Sequence, residues 1–251
     1  MEKKRMGTFL CAALCLCGAV LPWIFGMGAT ERSVEADGDM ILREDLKDPP
    51  LIALTFDDGP SSVTTPVLLD GLAERGIKAT FFLVGSMAAD NHATVRRMAQ
   101  EGHQLGVHTY DHSLQRGLTG LNEAQFRGQV DTTRDLISAL TGQTEFVFRP
   151  PYGFVDASVK KWAGSPVILW SVDPEDWKYQ DAEKVAQHII SHAEDGAIIL
   201  LHDIFKTSVE GALEAVDALL KEGYRFVTVD QLFQARGLTA EKGKVYNSLP
   251  G

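Results

Sequence analysis

Seven short apolar or β-branched runs, at 51–56, 80–84, 104–108, 145–149, 167–172, 197–202 and 225–229, recur along this chain with helix-periodic segments between them. Those segments lie near 64–75, 92–101, 122–141, 156–163, 181–195 and 208–222. Strand and helix alternating at this spacing predict right-handed βαβ units and a mostly parallel sheet. Gly76, Gly102, Gly142, Gly196 and Gly223 each stand just ahead of the next run, where a left-handed residue closes a helix. No glycine-rich dinucleotide fingerprint is present. The α/β pattern therefore favours a (β/α) barrel of about seven parallel strands over a doubly wound open sheet.

The ends of the runs carry ionisable or ligand-type side chains. Asp57 and Asp58 close the first run, His108 and His112 follow the third, and Arg149 closes the fourth. Asp173 and Asp176 follow the fifth, and His202 closes the sixth. Parallel barrels assemble their sites at the carboxyl ends of several strands at once, so this recurrence points to an enzyme.

Each stretch also has a plainer reading. Asp57-Asp58-Gly59-Pro60 is ordinary turn chemistry; as a site, adjacent carboxylates that repel need a cation to divide their roles, one binding metal and the other holding a proton. His108 and His112 have metal-ligand spacing. So do His188 and His192, but those flank the stripe Val185, Ala186, Ile189, Ile190 and Ala193 and read as a solvated or half-buried face. Arg149-Pro150-Pro151-Tyr152-Gly153 is either a structural turn with a surface arginine or a cation beside a stiff turn whose Tyr152 N–H faces a ligand. Asp173-Pro174-Glu175-Asp176-Trp177 offers a carboxylate to orient an imidazole and an aromatic wall, or simply a helix N-cap. Period-two alternation puts Leu200 and His202 on one face, so an apolar pocket can sit beside that imidazole. His92 and His103 lack such company and read as surface or helix-end residues.

Composition narrows the setting. Lys3, Lys4 and Arg5 precede an uncharged stretch from Met6 to Thr30, which reads as a signal peptide or an N-terminal membrane anchor over residues 1–30, with Gly26-Met27-Gly28 as a cleavage site. Either way the remainder is expected to be exported, secreted or anchored facing the cell wall, and to meet the membrane only through this segment. All three cysteines (Cys11, Cys15, Cys17) fall in it, so the exported part has no disulfides and depends on core packing. Net charge is −10, and the leader contributes +2 (three basic residues against Glu2), which leaves −12 for residues 31–251. No basic stripe with interleaved aromatics appears, and nucleic acid is not an expected partner. Residues 31–50 read as a charged linker, 51–236 as the domain and 237–251 as a flexible tail.

Five stretches, TFDDGP, HTYDH, RPPYG, DPEDW and LLHD, occur in the order seen in the polysaccharide deacetylases (carbohydrate esterase family 4, the NodB homology domain), and the resemblance covers about residues 50–236. It implies a distorted (β/α) barrel with seven or eight strands. By the same resemblance Asp58, His108 and His112 hold a divalent metal, Zn²⁺ or another first-row ion such as Co²⁺. Asp57 is then the general base steadied by Arg149, and His202 the general acid oriented by Asp176, with Asp173 in support of Arg149. The Tyr152 N–H faces the oxyanion, and Leu200 and Trp177 line the slot for an acetyl methyl. The one departure is Val107, where many members have Asn ahead of the first histidine. The implied partner is a glycan polymer, most readily the N-acetylglucosamine-type units of peptidoglycan or of a chitin-like chain. O-deacetylation of acetyl-xylan or another esterified glycan, and a catalytically silent glycan-binding relative, are the alternatives.

Overall fold

The computed structural model describes residues 49–113 and 117–250; the expected leader, and all but the last two residues of the expected linker, lie outside them. Strand β1 (Leu51–Asp57) belongs to an all-parallel sheet in which it has three strand partners. The chain returns through α1 (Thr64–Glu74) to β2 (Thr80–Leu83), which pairs parallel to it. Two short helices, α2 (Gly85–Asp90) and α3 (His92–Gln100), then lead to β3 (Gln104–Val107), and α4 (Glu123–Thr141) leads to β4 (Val147–Phe148). Helix α5 (Ala157–Trp162) precedes β5 (Val167–Ile168), and α6 (Asp176–Tyr179) and α7 (Ala182–Ser191) precede β6 (Ile198–His202). Helix α8 (Lys206–Lys221), β7 (Arg225–Val227), α9 (Val229–Ala235) and β8 (Val245–Tyr246) complete the order.

The strands run β6-β1-β2-β3-β4-β5-β8, with β7 on the amino-terminal half of β1. After β5 the chain swings back so that Val172 bridges Ile199 of β6, and this contact draws the curved sheet into the distorted barrel. All five glycines expected at helix ends have positive φ.

Alternation along the strands sorts two apolar layers. Ile52, Leu54, Phe56, Ile199 and Leu201 face the helices in the larger cluster, whereas Ala53, Phe82, Val147, Ile168 and Ile198 form an inner cluster with Val229, Leu232 and Phe233 of α9. Two expectations are corrected here. The run 225–229 stops as a strand at Val227, because Thr228 caps α9 in a box with Gln231, and this Thr-x-x-Gln signal was available in the sequence. The expected flexible tail instead adds β8 beside β5 and buries Leu249, which donates its N–H to Gly196 at 2.8 Å.

Run 167–172 was expected as one strand but leaves the ladder after Ile168. The carbonyls of Ile168 and Leu169 are taken by the Arg149 side chain at 3.0 and 2.9 Å, so they are lost to strand pairing. Among the described residues no helix is long and apolar enough to cross a membrane.

Candidate active site

Parallel register places base and acid candidates side by side. Thr55 pairs with Leu200 and Asp57 with His202 across β1 and β6. Inward alternation then aims Asp57, Leu200 and His202 at one cavity above the inner cluster.

Arg149 follows β4 and is the largest fully buried side chain. Its Nη1 donates to Asp57 Oδ1 at 2.7 Å and to Thr55 Oγ1 at 2.8 Å, and its plane lies over the Phe82 ring at 4.1 Å. With the two carbonyls already described, four of the five guanidinium N–H groups have protein acceptors, which goes most of the way to the pairing a buried charge needs. Burial pushes the Asp57 carboxyl above its usual range, opposed first by Arg149 and then by His202.

Asp58, His108 and His112 offer donor atoms that all lie within 4.8 Å of one another. Asp58 Oδ1 stands 3.4 Å from His108 Nε2 and 3.6 Å from His112 Nε2. His108 Nδ1 donates to the Arg149 carbonyl at 2.7 Å, which leaves Nε2 with the lone pair toward Asp58. Burial lowers the His108 pKa to about 3 despite the Asp58 charge, so the ring is held in the neutral, ligating form. Asp58 Oδ1 is buried with no hydrogen-bond partner among the described residues. An orphaned carboxylate oxygen facing two imidazole nitrogens fits a divalent cation bound by two nitrogens and one oxygen.

Local backbone conformation is unusual here as well. Asp58, Thr109, His112 and Tyr152 have φ of 71°, 68°, 50° and 59°, left-handed values that side chains other than glycine adopt at a cost. Four of the six such residues described thus lie in the loops of one site, and a fifth, Glu175, immediately precedes Asp176.

On the far wall, His202 Nδ1 donates to Asp176 Oδ1 at 2.8 Å and the His202 N–H donates to Asp176 Oδ2 at 2.8 Å. Burial disfavours the imidazolium, but the Asp176 hydrogen bond and charge, with Asp57 and Asp58 behind them, outweigh it and push His202 up to about 9. Asp57 and His202 therefore differ in role by environment: one carboxylate clamped by a cation, one imidazole kept protonated by a carboxylate.

Asp57, Asp58, His108, His112 and His202 all face a cleft of about 380 Å³ walled by Tyr152, Trp170, Asp173, Trp177, Leu200 and Phe205. A second hollow of about 390 Å³ shares Asp58 and His112 with the cleft and is lined further by Ser61, Ser86 and Asp111. Every residue singled out for the site is thus brought together. Asp173 is placed differently from expectation: its Oδ1 accepts the Glu175 N–H at 2.9 Å, and it lies on the cleft wall rather than beside Arg149.

Thr55, Trp170 and Phe205 were not foreseen. Thr55 shares the inward face of Asp57, so alternation could have found it; nothing in sequence marks Trp170 or Phe205. His188 and His192 stack at 4.1 Å on α7 away from the cleft, half-buried and exposed as expected. His103 follows α3 but is buried, not at the surface. Its Nδ1 accepts the Ala79 N–H at 3.1 Å, and burial lowers its pKa to about 4.

Fold and site together define a parallel α/β barrel whose cleft brings three donor atoms able to hold a metal ion up to an Asp57–Arg149 pair and a His202–Asp176 pair. A family model for polysaccharide deacetylase matches residues 45–165. The peptidoglycan-N-acetylglucosamine deacetylase PgdA of Listeria monocytogenes is 43% identical over 195 residues, covering 78% of this chain and 41% of that protein. A peptidoglycan-N-acetylglucosamine deacetylase of Bacillus cereus is 37% identical over 190 residues, covering 73% of this chain and 68% of that protein. Among solved structures, a family 4 acetyl xylan esterase from Clostridium thermocellum in complex with a cobalt ion matches with a TM-score of 0.75 at 33% identity, over 80% of this chain and 100% of the other. The chain belongs to the polysaccharide deacetylase family. It spans 41% of the length of the Listeria relative, which is the longer protein.

Proposed function

We propose that this chain is an exported, metal-dependent deacetylase that hydrolyses the acetamide of N-acetylglucosamine-type units, in peptidoglycan by preference, and releases acetate. One observation carries the reading. The Asp58–His108–His112 cluster, the Asp57–Arg149 pair and the His202–Asp176 pair converge on a single cleft.

In this reading Asp58, His108 and His112 hold the cation. The chemistry supplied by bound Zn²⁺ or Co²⁺ is Lewis-acid polarisation of a carbonyl and a lowered pKa for water. Asp57 accepts the proton of the attacking water, and Arg149 keeps that carboxylate oriented and ionised until it does so. Oxygen adds to the carbonyl carbon; the C–N bond then breaks as His202 delivers its Nε2 proton to the departing nitrogen. Asp176 fixes the tautomer that leaves this proton on Nε2. The Tyr152 N–H is assigned to the oxyanion. Leu200 and Trp177 enclose the methyl group and exclude water from it.

The names of the Listeria and Bacillus relatives support a peptidoglycan substrate, and two hollows that share Asp58 and His112 suit a polymer that runs past the site. The Clostridium esterase supports a second reading, O-deacetylation. His202 favours the amide, because an amine leaves only when protonated, whereas an alkoxide departs more readily.

The test is to incubate zinc-loaded chain with purified wall sugars, chito-oligomers and acetyl-xylan and to follow acetate. Release from N-acetyl substrates, lost with chelator and in Asp57→Asn that still holds zinc, is expected. Cleavage of the ester alone would transfer the assignment to the second reading, and glycan binding with no release at any metal loading would indicate a silent binding protein. Fractionating cells that carry the full chain checks export: a wall or medium fraction is expected, and a cytosolic one contradicts it.

A further inference from the structure

Asp203 is fully buried one residue beyond His202, and the cleft chemistry makes no use of it. We propose that it is a positioning residue for the metal turn, its carboxylate forming the seat on which Gly59 rests and thereby fixing the directions of Asp57 and Asp58. A β-carbon at position 59 would run into the Asp203 carboxylate, so glycine is needed for the two to approach so closely. The carboxylate is tied to the far side of the same turn as well. Its Oδ2 accepts from Thr65 Oγ1, and that hydroxyl in turn accepts the Ser61 N–H at 2.8 Å. Thr64 Oγ1 donates to the Asp203 carbonyl at 2.5 Å. The end of β6, the Asp57–Ser61 turn and the start of α1 are thus pinned by one side chain.

Its second oxygen, Oδ1, has no partner among the described residues. A half-satisfied buried carboxylate costs stability that an apolar residue of similar volume would not. Burial pushes its pKa up to about 7, and the charges of Asp58 and Asp57 act in the same direction. The gain that offsets this cost is the placement of the turn, and through it the metal site. The inference rests on the metal-site reading above.

Zinc affinity of the full chain, measured by competition with a chromophoric chelator well below the melting temperature, tests it. Loss of an outer partner of a metal ligand typically weakens metal binding about 10–100-fold. Asp203→Ala is expected to fall in that range and to lower kcat with little change in KM, while Asp203→Asn, with the same shape, recovers most of both. Thr65→Val removes a single hydroxyl and is expected to weaken zinc in the same direction, so the test survives if Asp203→Ala does not fold. Leu219→Ala in α8 is the control: it lowers the melting temperature and leaves zinc affinity unchanged. Wild-type affinity in either Asp203→Ala or Thr65→Val, or a loss matched by Leu219→Ala, overturns the proposal. A wild-type chain that binds no zinc removes the metal reading, and this inference with it.

Discussion

Asp57 and Arg149 meet at 2.7 Å with side chains 4% and 0% exposed, a buried ion pair formed between residues far apart in sequence. Removing one member of such a pair leaves an uncompensated charge in the interior, which costs about 3–5 kcal/mol. Arg149→Met is therefore expected to lose about that much stability in urea denaturation. The double variant Asp57→Asn with Arg149→Met should recover part of the loss. Strict additivity of the two single effects would show that the residues do not act as a pair.

The pH behaviour of His202 follows from its neighbours. Its folded pKa lies near 9 against an ordinary 6.5. A raised histidine contributes stability that is fully present below about 6.5 and is lost as pH rises through about 9. In metal-free chain, NMR titration of the imidazole is expected to give a midpoint well above 6.5 that drops sharply in Asp176→Asn. An unchanged midpoint in that variant would remove Asp176 as the cause.

Leu200 is 4% exposed and lines the cleft with His202; in the proposed function it sets the depth of the acetyl slot. A single methylene in such a pocket is worth about 1–3 kcal/mol of discrimination. Leu200→Ala is expected to lower kcat/KM on acetylated substrate and to improve turnover of N-propionyl substrate relative to it. A ratio identical to wild type would place the methyl elsewhere.

The carboxyl-terminal segment is open to a paired test. Gly196 and Gly223 have φ of 83° and 89°. A β-carbon at 196 would collide with the Leu249 carbonyl, whereas one at 223 meets nothing within 4 Å. Alanine at either position is strained by backbone conformation alone, by roughly 1 kcal/mol or more. Gly196→Ala is expected to be the more destabilising by a clear margin in thermal denaturation, since it must also displace Leu249. Equal losses would mean that the segment adds little to the barrel.

The barrel was legible where local physics decides it. Apolar runs, helical periods and the glycines at helix ends specify strand, helix and closure within a few residues of chain, and the same alternation set Leu200 beside His202. It failed where long-range pairing decides. Val245 and Tyr246 are β-formers, but two residues are too short a run to read as a strand, and they join the sheet by pairing with β5. Helix α9 was missed although its capping box is local, because the apolar run before it dominated the reading.

The site divides along the same line. Residue types at the ends of the runs, two adjacent carboxylates, two histidines at ligand spacing and a histidine closing a strand, were determined by sequence, since each belongs to one short segment. The tertiary structure alone decided that Arg149 reaches Thr55 and Asp57, that Asp176 takes the backbone N–H and the Nδ1–H of His202, and that Asp203 lies against Gly59. These contacts join segments from 26 residues apart, for Asp176 and His202, to 144 apart, for Gly59 and Asp203. Chain order carries no distance information over such separations; only the curvature of the parallel sheet brings those strand ends within hydrogen-bonding reach.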